Sequence, residues 1–106
     1  MGLRVSARVS VEVREVAARP DPQRRFRLSR ALGPDELELE RAVGFAPGQP
    51  VLLRFRLPAT AERLEITGVV ASPADDEGPR LVRFPDIDPD LRRRLVAYLE
   101  ERLGLT

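Results

Sequence analysis

Apolar and polar residues alternate at every position from Leu3 to Val13, and this two-residue period restricts the fold more than any other feature. Successive side chains of a strand point to opposite faces, so the pattern predicts a strand with one buried side. Five further short segments have strand-like patterns and are separated by proline, glycine or aspartate. They carry Phe26 and Leu28, then Leu37 and Leu39, followed by residues 51–58, 64–72 and 80–84. We therefore predict six strands between about residues 3 and 84.

The last part of the chain changes to a helical period. Leucines recur every fourth residue from Leu91 to Leu103, which places them on one stripe of a helix. Asp88 suits the capping position, Pro89 suits the first helical position, and Gly104 suits the end. The sequence therefore predicts an amphipathic helix over about 89–103.

Short strands followed by one helix indicate a fold dominated by β-structure. We predict a six-stranded antiparallel β-barrel with one C-terminal α-helix, which covers an open end or lies along the side. The length of 106 residues predicts a single domain over 1–106. We expect Phe55 and Phe84 in its core. On the helix, we expect Arg92 to pair with Asp88 and Arg94 with Asp90.

The residue types exclude much of ordinary catalytic chemistry. The chain lacks histidine and cysteine, and all of its 18 basic residues are arginines. The usual general base, the thiol nucleophile and the leading zinc ligands are therefore missing. We predict a protein that is not an enzyme and that uses no metal or cofactor.

The charge balance gives no overall field that would attract a polyanion. The formal net charge is +1, from 18 basic and 17 acidic residues, and acidic residues interleave the arginines. No apolar run approaches the ~18 residues of a membrane-spanning helix, and no signal peptide begins the chain. We expect no nucleic acid partner, no membrane insertion and a cytoplasmic location.

Three segments of the second half together resemble a known family. Residues 47–58 read PGQPVLLRFRLP, residues 64–72 read LEITGVVAS, and residues 81–103 read LVRFPDIDPDLRRRLVAYLEERL. This order resembles the second half of a PilZ domain, and residues 4–13, RVSARVSVEV, resemble its opening. The matching positions are Gly48, Leu57–Pro58, Gly68–Val70, Val82–Phe84 and Asp88–Leu103. The resemblance implies a six-stranded barrel with a C-terminal helix, and many members are receptors for cyclic di-GMP.

The resemblance also implies candidate ligand-binding residues. In the family, an Arg-x-x-x-Arg motif before the first strand and an Asp/Asn-x-Ser-x-x-Gly motif after the second hold the ligand. Arg4 and Arg8 match the first motif, and Ser29 matches the serine of the second. The motif glycine arrives one position late, as Gly33. Guanidinium groups suit this role because they bind phosphate oxygens and stack on rings.

The second motif is otherwise degenerate. Arg27 stands where the acid or amide would read a guanine edge, and arginine offers only donors. Leu32 stands where glycine would allow close backbone approach. Four neighbouring arginines are candidates for a different anion site: Arg24, Arg25, Arg27 and Arg30.

Two functions follow from the resemblance, and both are non-enzymatic signalling. The degenerate motif favours a divergent adaptor that has weak or lost nucleotide binding and docks a protein partner. The arginine-rich opening keeps the alternative, a cyclic di-GMP receptor that uses Arg4, Arg8 and Ser29.

Overall fold

The computed structural model describes residues 3–17, 19–60, 62–71 and 78–104. Over these residues the chain forms strands first and one helix last. The strands are β1 (Val5–Ser6), β2 (Ser10–Glu15), β3 (Arg24–Leu32), β4 (Glu36–Leu39), β5 (Pro50–Arg56), β6 (Arg63–Val70) and β7 (Leu81–Arg83), and the helix is α1 (Pro89–Arg102). The sequence also predicts a polar hairpin tip at residues 73–79, between the last two strands, but most of it falls on residues 72–77, which lie outside the described ranges.

Six of the strands close into an antiparallel barrel. Neighbours follow the order β3, β2, β5, β6, β7 and β4, and β4 pairs back onto β3. The short β1 lies beside β2 on the same edge of β3, through Val5 opposite Leu32. The predicted six-stranded barrel with a C-terminal helix is therefore confirmed, with one extra strand.

The first strand, predicted as continuous, is interrupted at residues 7–9, where the register against β3 shifts by one residue. Two backbone hydrogen bonds to β3 remain there, from the Ala7 N–H to the Arg30 carbonyl at 3.2 Å and from the Ser29 N–H to the Val9 carbonyl at 2.9 Å. The Ser29 hydroxyl of β3 fills this break: it donates to the Ala7 carbonyl and accepts from the Val9 N–H at 2.9 Å. The alternation survives the break, since Val5 and Ala7 are buried like Val11 and Val13. A buried polar contact thus divides one alternating segment into β1 and β2.

The barrel interior is filled by the apolar faces of its strands. Phe55 and Phe84 are both buried in the core, as predicted. β6 crosses β7 closely at Gly68, where an added Cβ would lie 2.6 Å from Val82 and 2.7 Å from the Arg83 carbonyl oxygen. The glycine of the Gly-x-Val segment therefore has a packing role.

The helix follows the predicted boundaries. Asp88 caps it by accepting from the Asp90 N–H at 3.0 Å, and Gly104 ends it with φ of +74°. Leu95 and Leu99 are fully buried, whereas Leu103 is 44% exposed. The leucine stripe therefore packs through its central turns and leaves its C-terminal end in solvent.

The helix arginines do not make the predicted ion pairs. Arg92 binds Asp35 in the β3–β4 turn, and Arg94 binds Glu62 before β6. Asp90 pairs with Arg93 instead. Long arginine side chains reach carboxylates on neighbouring elements here, so the local helical spacing did not determine the partners.

Candidate functional site

Arg4 lies against carboxylates of β4, and Arg8 lies against the carboxylate that directly follows this strand. The Arg4 guanidinium donates to Glu36 Oε2 at 3.4 Å and also binds Glu38. Arg8 Nε lies 3.2 Å from Glu40 Oε1. Glu36 and Glu38 share one face of β4 because side chains alternate along a strand, and Glu40 follows the last residue of the strand. We call Glu36, Glu38 and Glu40 the acidic stripe.

A third arginine joins this cluster from β3. Arg30 Nη1 lies 3.3 Å from Glu38 Oε2, so Glu38 binds both Arg4 and Arg30. The side chains of Arg4 and Arg30 are 45% and 55% exposed, so solvent reaches both guanidinium groups. The arrangement is a surface ion-pair network in which carboxylates bind the guanidinium groups of all three arginines.

Ser29 is directed into the protein rather than toward this network. Its exposed fraction is 0%, and its hydroxyl is engaged by the Ala7 carbonyl and the Val9 N–H. A hydroxyl with two backbone partners in the interior has little remaining capacity for a ligand. Its visible role is to hold the break between β1 and β2.

Gly33 begins the β3–β4 turn. Its N–H donates to the Glu36 carbonyl at 2.9 Å, and an added Cβ would lie 3.2 Å from the Leu3 carbonyl oxygen. Leu32, which occupies the motif's glycine position, is buried in the core. The small size of Gly33 therefore allows the turn to pack closely against the backbone at Leu3.

The secondary anion candidates do not converge on one point. Arg25 lies over the Phe45 ring at 5.5 Å, and Arg27 Nε donates to the Ala42 carbonyl at 2.9 Å. Both cover the segment around Gly44, whereas Arg24 lies over Phe26 on the other face of β3. Arg30 belongs to the acidic-stripe network. Binding of a cyclic dinucleotide or another anion at the candidate residues stays a prediction.

The β3–β4 turn is linked electrostatically to the helix. The Arg92 guanidinium donates to both Asp35 oxygens, at 2.9 and 3.1 Å. This hydrogen bonding lowers the pKa of the Asp35 carboxyl below its ordinary value and raises the pKa of Arg92. Asp35 directly precedes Glu36, so the ion pair to α1 and the Arg4 network share one turn.

Sequence reasoning missed the exposed apolar side chains of β3. Phe26 is 60% exposed and Leu28 is 39% exposed, while Arg25 and Arg27 take the opposite, partly covered face. Alternation reveals that Phe26 and Leu28 share a face, but it does not say which face is inside. Ser29 was the residue that could have identified the inner face. It lies on the same face of β3 as Arg25 and Arg27, and it is buried.

Among the described residues, no helix is long and apolar enough to cross a membrane. The same residues contain no group of three or more acidic, histidine or cysteine side chains placed to hold a metal ion.

No protein-family profile and no curated protein sequence matches this chain. Among solved structures, it is similar to the Bacillus subtilis inhibitor of motility MotI/DgrA, with a TM-score of 0.72 and 20% sequence identity. The match covers 98% of this chain and 51% of that protein, so the chain spans about half of its structural neighbour. The likeness shows that the two proteins share a fold over nearly the whole of this chain.

Proposed function

We propose that this chain is a PilZ-like signalling module that has no catalytic activity and acts by docking a protein partner. Its nucleotide binding is weak or lost. The observation that carries this proposal is the acidic stripe, which binds the guanidinium groups of Arg4 and Arg8.

The acidic stripe opposes a phosphate ligand in two ways. A phosphodiester must displace carboxylates from Arg4 and Arg8, and it must then lie beside those same negative charges. Each exposed charge interaction contributes roughly 0.2–1 kcal/mol. Several together therefore weaken binding by at least about tenfold, because about 1.4 kcal/mol corresponds to a factor of ten.

The neighbour's description supports a regulatory role. It is an inhibitor of motility, and a protein of this fold therefore acts in regulation. The chain offers no histidine, cysteine or lysine as a general base or nucleophile, and Ser29 is buried with backbone partners. Regulation by contact fits these residues better than a chemical reaction.

The alternative is a cyclic di-GMP receptor, and one observation favours it. Arg4, Arg8 and Arg30 all reach the acidic stripe from the solvent side. Exposed ion pairs are weak, so a ligand with two phosphates has several guanidinium groups within reach. In this alternative, phosphates replace the carboxylates, and the buried Ser29 orders the strand rather than touching the ligand.

Isothermal titration calorimetry with cyclic di-GMP separates the two functions. We expect little or no heat from the unmodified protein. The triple variant Glu36→Gln, Glu38→Gln, Glu40→Gln should bind at least about tenfold more tightly, because it removes the competing charges. Adding Arg4→Ala and Arg8→Ala to the triple variant should abolish that gain.

The control is Arg102→Ala, which removes an exposed helix arginine outside the network and should leave the calorimetry unchanged. Micromolar or tighter binding by the unmodified protein, lost in the Arg4→Ala, Arg8→Ala variant, would overturn the adaptor proposal and establish the receptor.

A further inference from the structure

The solvent-facing side of β3, β2, β5 and β6, here called the outer face, carries its side chains in register. Across the middle, Phe26 lies opposite Glu12, Glu12 opposite Arg54, and Arg54 opposite Glu65. Arg54 Nε donates to Glu65 Oε2 at 2.9 Å. These four residues form the central row, whose only apolar member is Phe26.

Two pairs of arginines lie on either side of the central row. Arg14 is directly opposite Arg24 at one end, and Arg56 is directly opposite Arg63 at the other. Among the described residues, none of these four arginines makes an ion pair with a carboxylate. Like charges directly opposite each other on a sheet are destabilising, so each pair would be stabilised by a carboxylate from outside.

The arginine pairs contrast with the network around β4. There, each of Arg4, Arg8 and Arg30 has a carboxylate partner within this chain. On the outer face, within the described part of the chain, the one carboxylate bound to an arginine is Glu65, which binds Arg54. The outer face therefore offers basic groups whose acidic partners are not supplied by the described part of the fold.

The same face offers an apolar contact. Phe26 is 60% exposed, and it borders a groove of about 390 Å³ that is also lined by Glu12, Arg54, Arg56 and Arg63. The Arg24 guanidinium lies over the Phe26 ring, 5.8 Å from its centre. An exposed aromatic ring beside basic groups is the composition of an interface anchor.

We propose that the outer face binds an acidic segment of a partner protein, whose apolar side chain packs on Phe26 and whose carboxylates pair with the flanking arginines. This inference rests on the proposed docking function and specifies the chemistry of the partner. Strand spacing places the two arginine pairs roughly 16 Å apart, a span of about five residues of extended chain. The segment therefore carries acidic residues on both sides of an apolar one.

Charge disfavours a second copy of this chain as the occupant. Two-fold association brings the same patch of both molecules together. The outer face carries Arg14, Arg24, Arg54, Arg56 and Arg63 against the carboxylates Glu12 and Glu65, so such a contact would bring two net positive faces together. An acidic partner meets opposite charge instead.

Fluorescence anisotropy with a labelled synthetic peptide tests this proposal on the full chain. The probe has glutamates at both ends and a central leucine–phenylalanine pair. Two matched peptides replace either the glutamates by glutamines or the central pair by serines. We expect both matched peptides to bind at least about tenfold more weakly, because each lacks one half of the recognition.

Variants of the protein locate the binding surface. Phe26→Ser should lower the affinity for the acidic peptide at least about tenfold. The double variant Arg56→Ser, Arg63→Ser should lower this affinity about three- to tenfold. Arg102→Ser, an exposed helix arginine away from the outer face, should change binding less than about twofold. Circular dichroism and thermal melting of each variant confirm that the fold is retained.

Absence of peptide binding, equal binding of the glutamine peptide, or unchanged binding by the Phe26 variant would overturn the proposal. Dimerisation that depends on Phe26, measured by sedimentation velocity, would also overturn it by assigning the outer face to a second copy. The calorimetry with cyclic di-GMP fails or succeeds independently. If the peptide does not bind and cyclic di-GMP gives no heat, only the proposal of an acidic partner segment is rejected. If cyclic di-GMP binds tightly, the proposed docking function itself is rejected.

Discussion

Arg92 of α1 and Asp35 of the β3–β4 turn form a two-point ion pair, with Nε 2.9 Å from Oδ1 and Nη2 3.1 Å from Oδ2. The two residues are 57 positions apart in sequence. The pair joins the helix to the turn that leads into the acidic stripe. A planar guanidinium matched to a carboxylate favours one orientation as well as one distance, so this contact orients the first turns of the helix relative to the β3–β4 turn.

The pair predicts a pH-dependent contribution to stability. Asp35 has a lowered pKa because Arg92 hydrogen-bonds its charged form. Its stabilising effect is therefore present above the ordinary carboxyl pKa and is lost as the pH falls through the lower folded-state pKa. Urea unfolding should show Asp35→Asn to be slightly less stable than the unmodified protein at pH 7. The difference should disappear at acidic pH, and a difference of the same size at both pH values would contradict this assignment.

The break between β1 and β2 predicts a larger effect at Ser29. Replacing Ser29 by alanine removes the donor to the Ala7 carbonyl and the acceptor for the Val9 N–H. Leaving buried backbone groups without partners costs about 1–3 kcal/mol. We expect a decrease of that size in the free energy of unfolding, measured by urea denaturation. Ser6→Ala, at an exposed position of β1, is the matched control and should change stability by less than about 0.5 kcal/mol.

Elements with strong local patterns could be predicted from the sequence. The alternation in residues 51–58 and 64–72 locates β5 (Pro50–Arg56) and β6 (Arg63–Val70) to within two residues at each end. The cap at Asp88 and the glycine at Gly104 locate the helix. In these segments local pattern and tertiary packing favour the same structure, so local information was sufficient.

The failures occur where a distant residue decides the local structure. The break after β1 depends on Ser29, about twenty positions later in the chain. The partners of Arg92 and Arg94 are Asp35 and Glu62, which only the fold brings near. Similarly, the motif position of Arg4 was readable from the sequence, but its carboxylate neighbours on β4 were not. Pairing across a sheet depends on topology, which alternation alone does not specify.

Close strand crossing predicts that Gly68 tolerates no side chain. An added Cβ would lie 2.6 Å from a Val82 methyl group and 2.7 Å from the Arg83 carbonyl oxygen. Relief requires movement of backbone, so Gly68→Ala should lower the free energy of unfolding by about 1–3 kcal/mol or more.

Gly48→Ala separates this clash from backbone strain. Gly48 has φ of +85°, and an added Cβ there meets nothing within 4 Å. Its replacement should cost only the strain of a left-handed residue, about 1–2 kcal/mol. A Gly48 variant less stable than the Gly68 variant in the same denaturation series would show that the crossing is not tight.

The leucine stripe of α1 predicts a gradient of stability along one helix. Leu99 is fully buried, whereas Leu103, one turn later, is 44% exposed. Leu99→Ala removes core packing and leaves a cavity, which should cost about 2–5 kcal/mol. Leu103→Ala should cost less than about 1 kcal/mol, because most of that side chain is not packed. Thermal and urea unfolding of the two variants compare the same substitution inside the helix and at its C-cap, Leu103. Equal losses would mean that the helix packs along its whole length, and that its C-terminal turn lies against the barrel rather than in solvent.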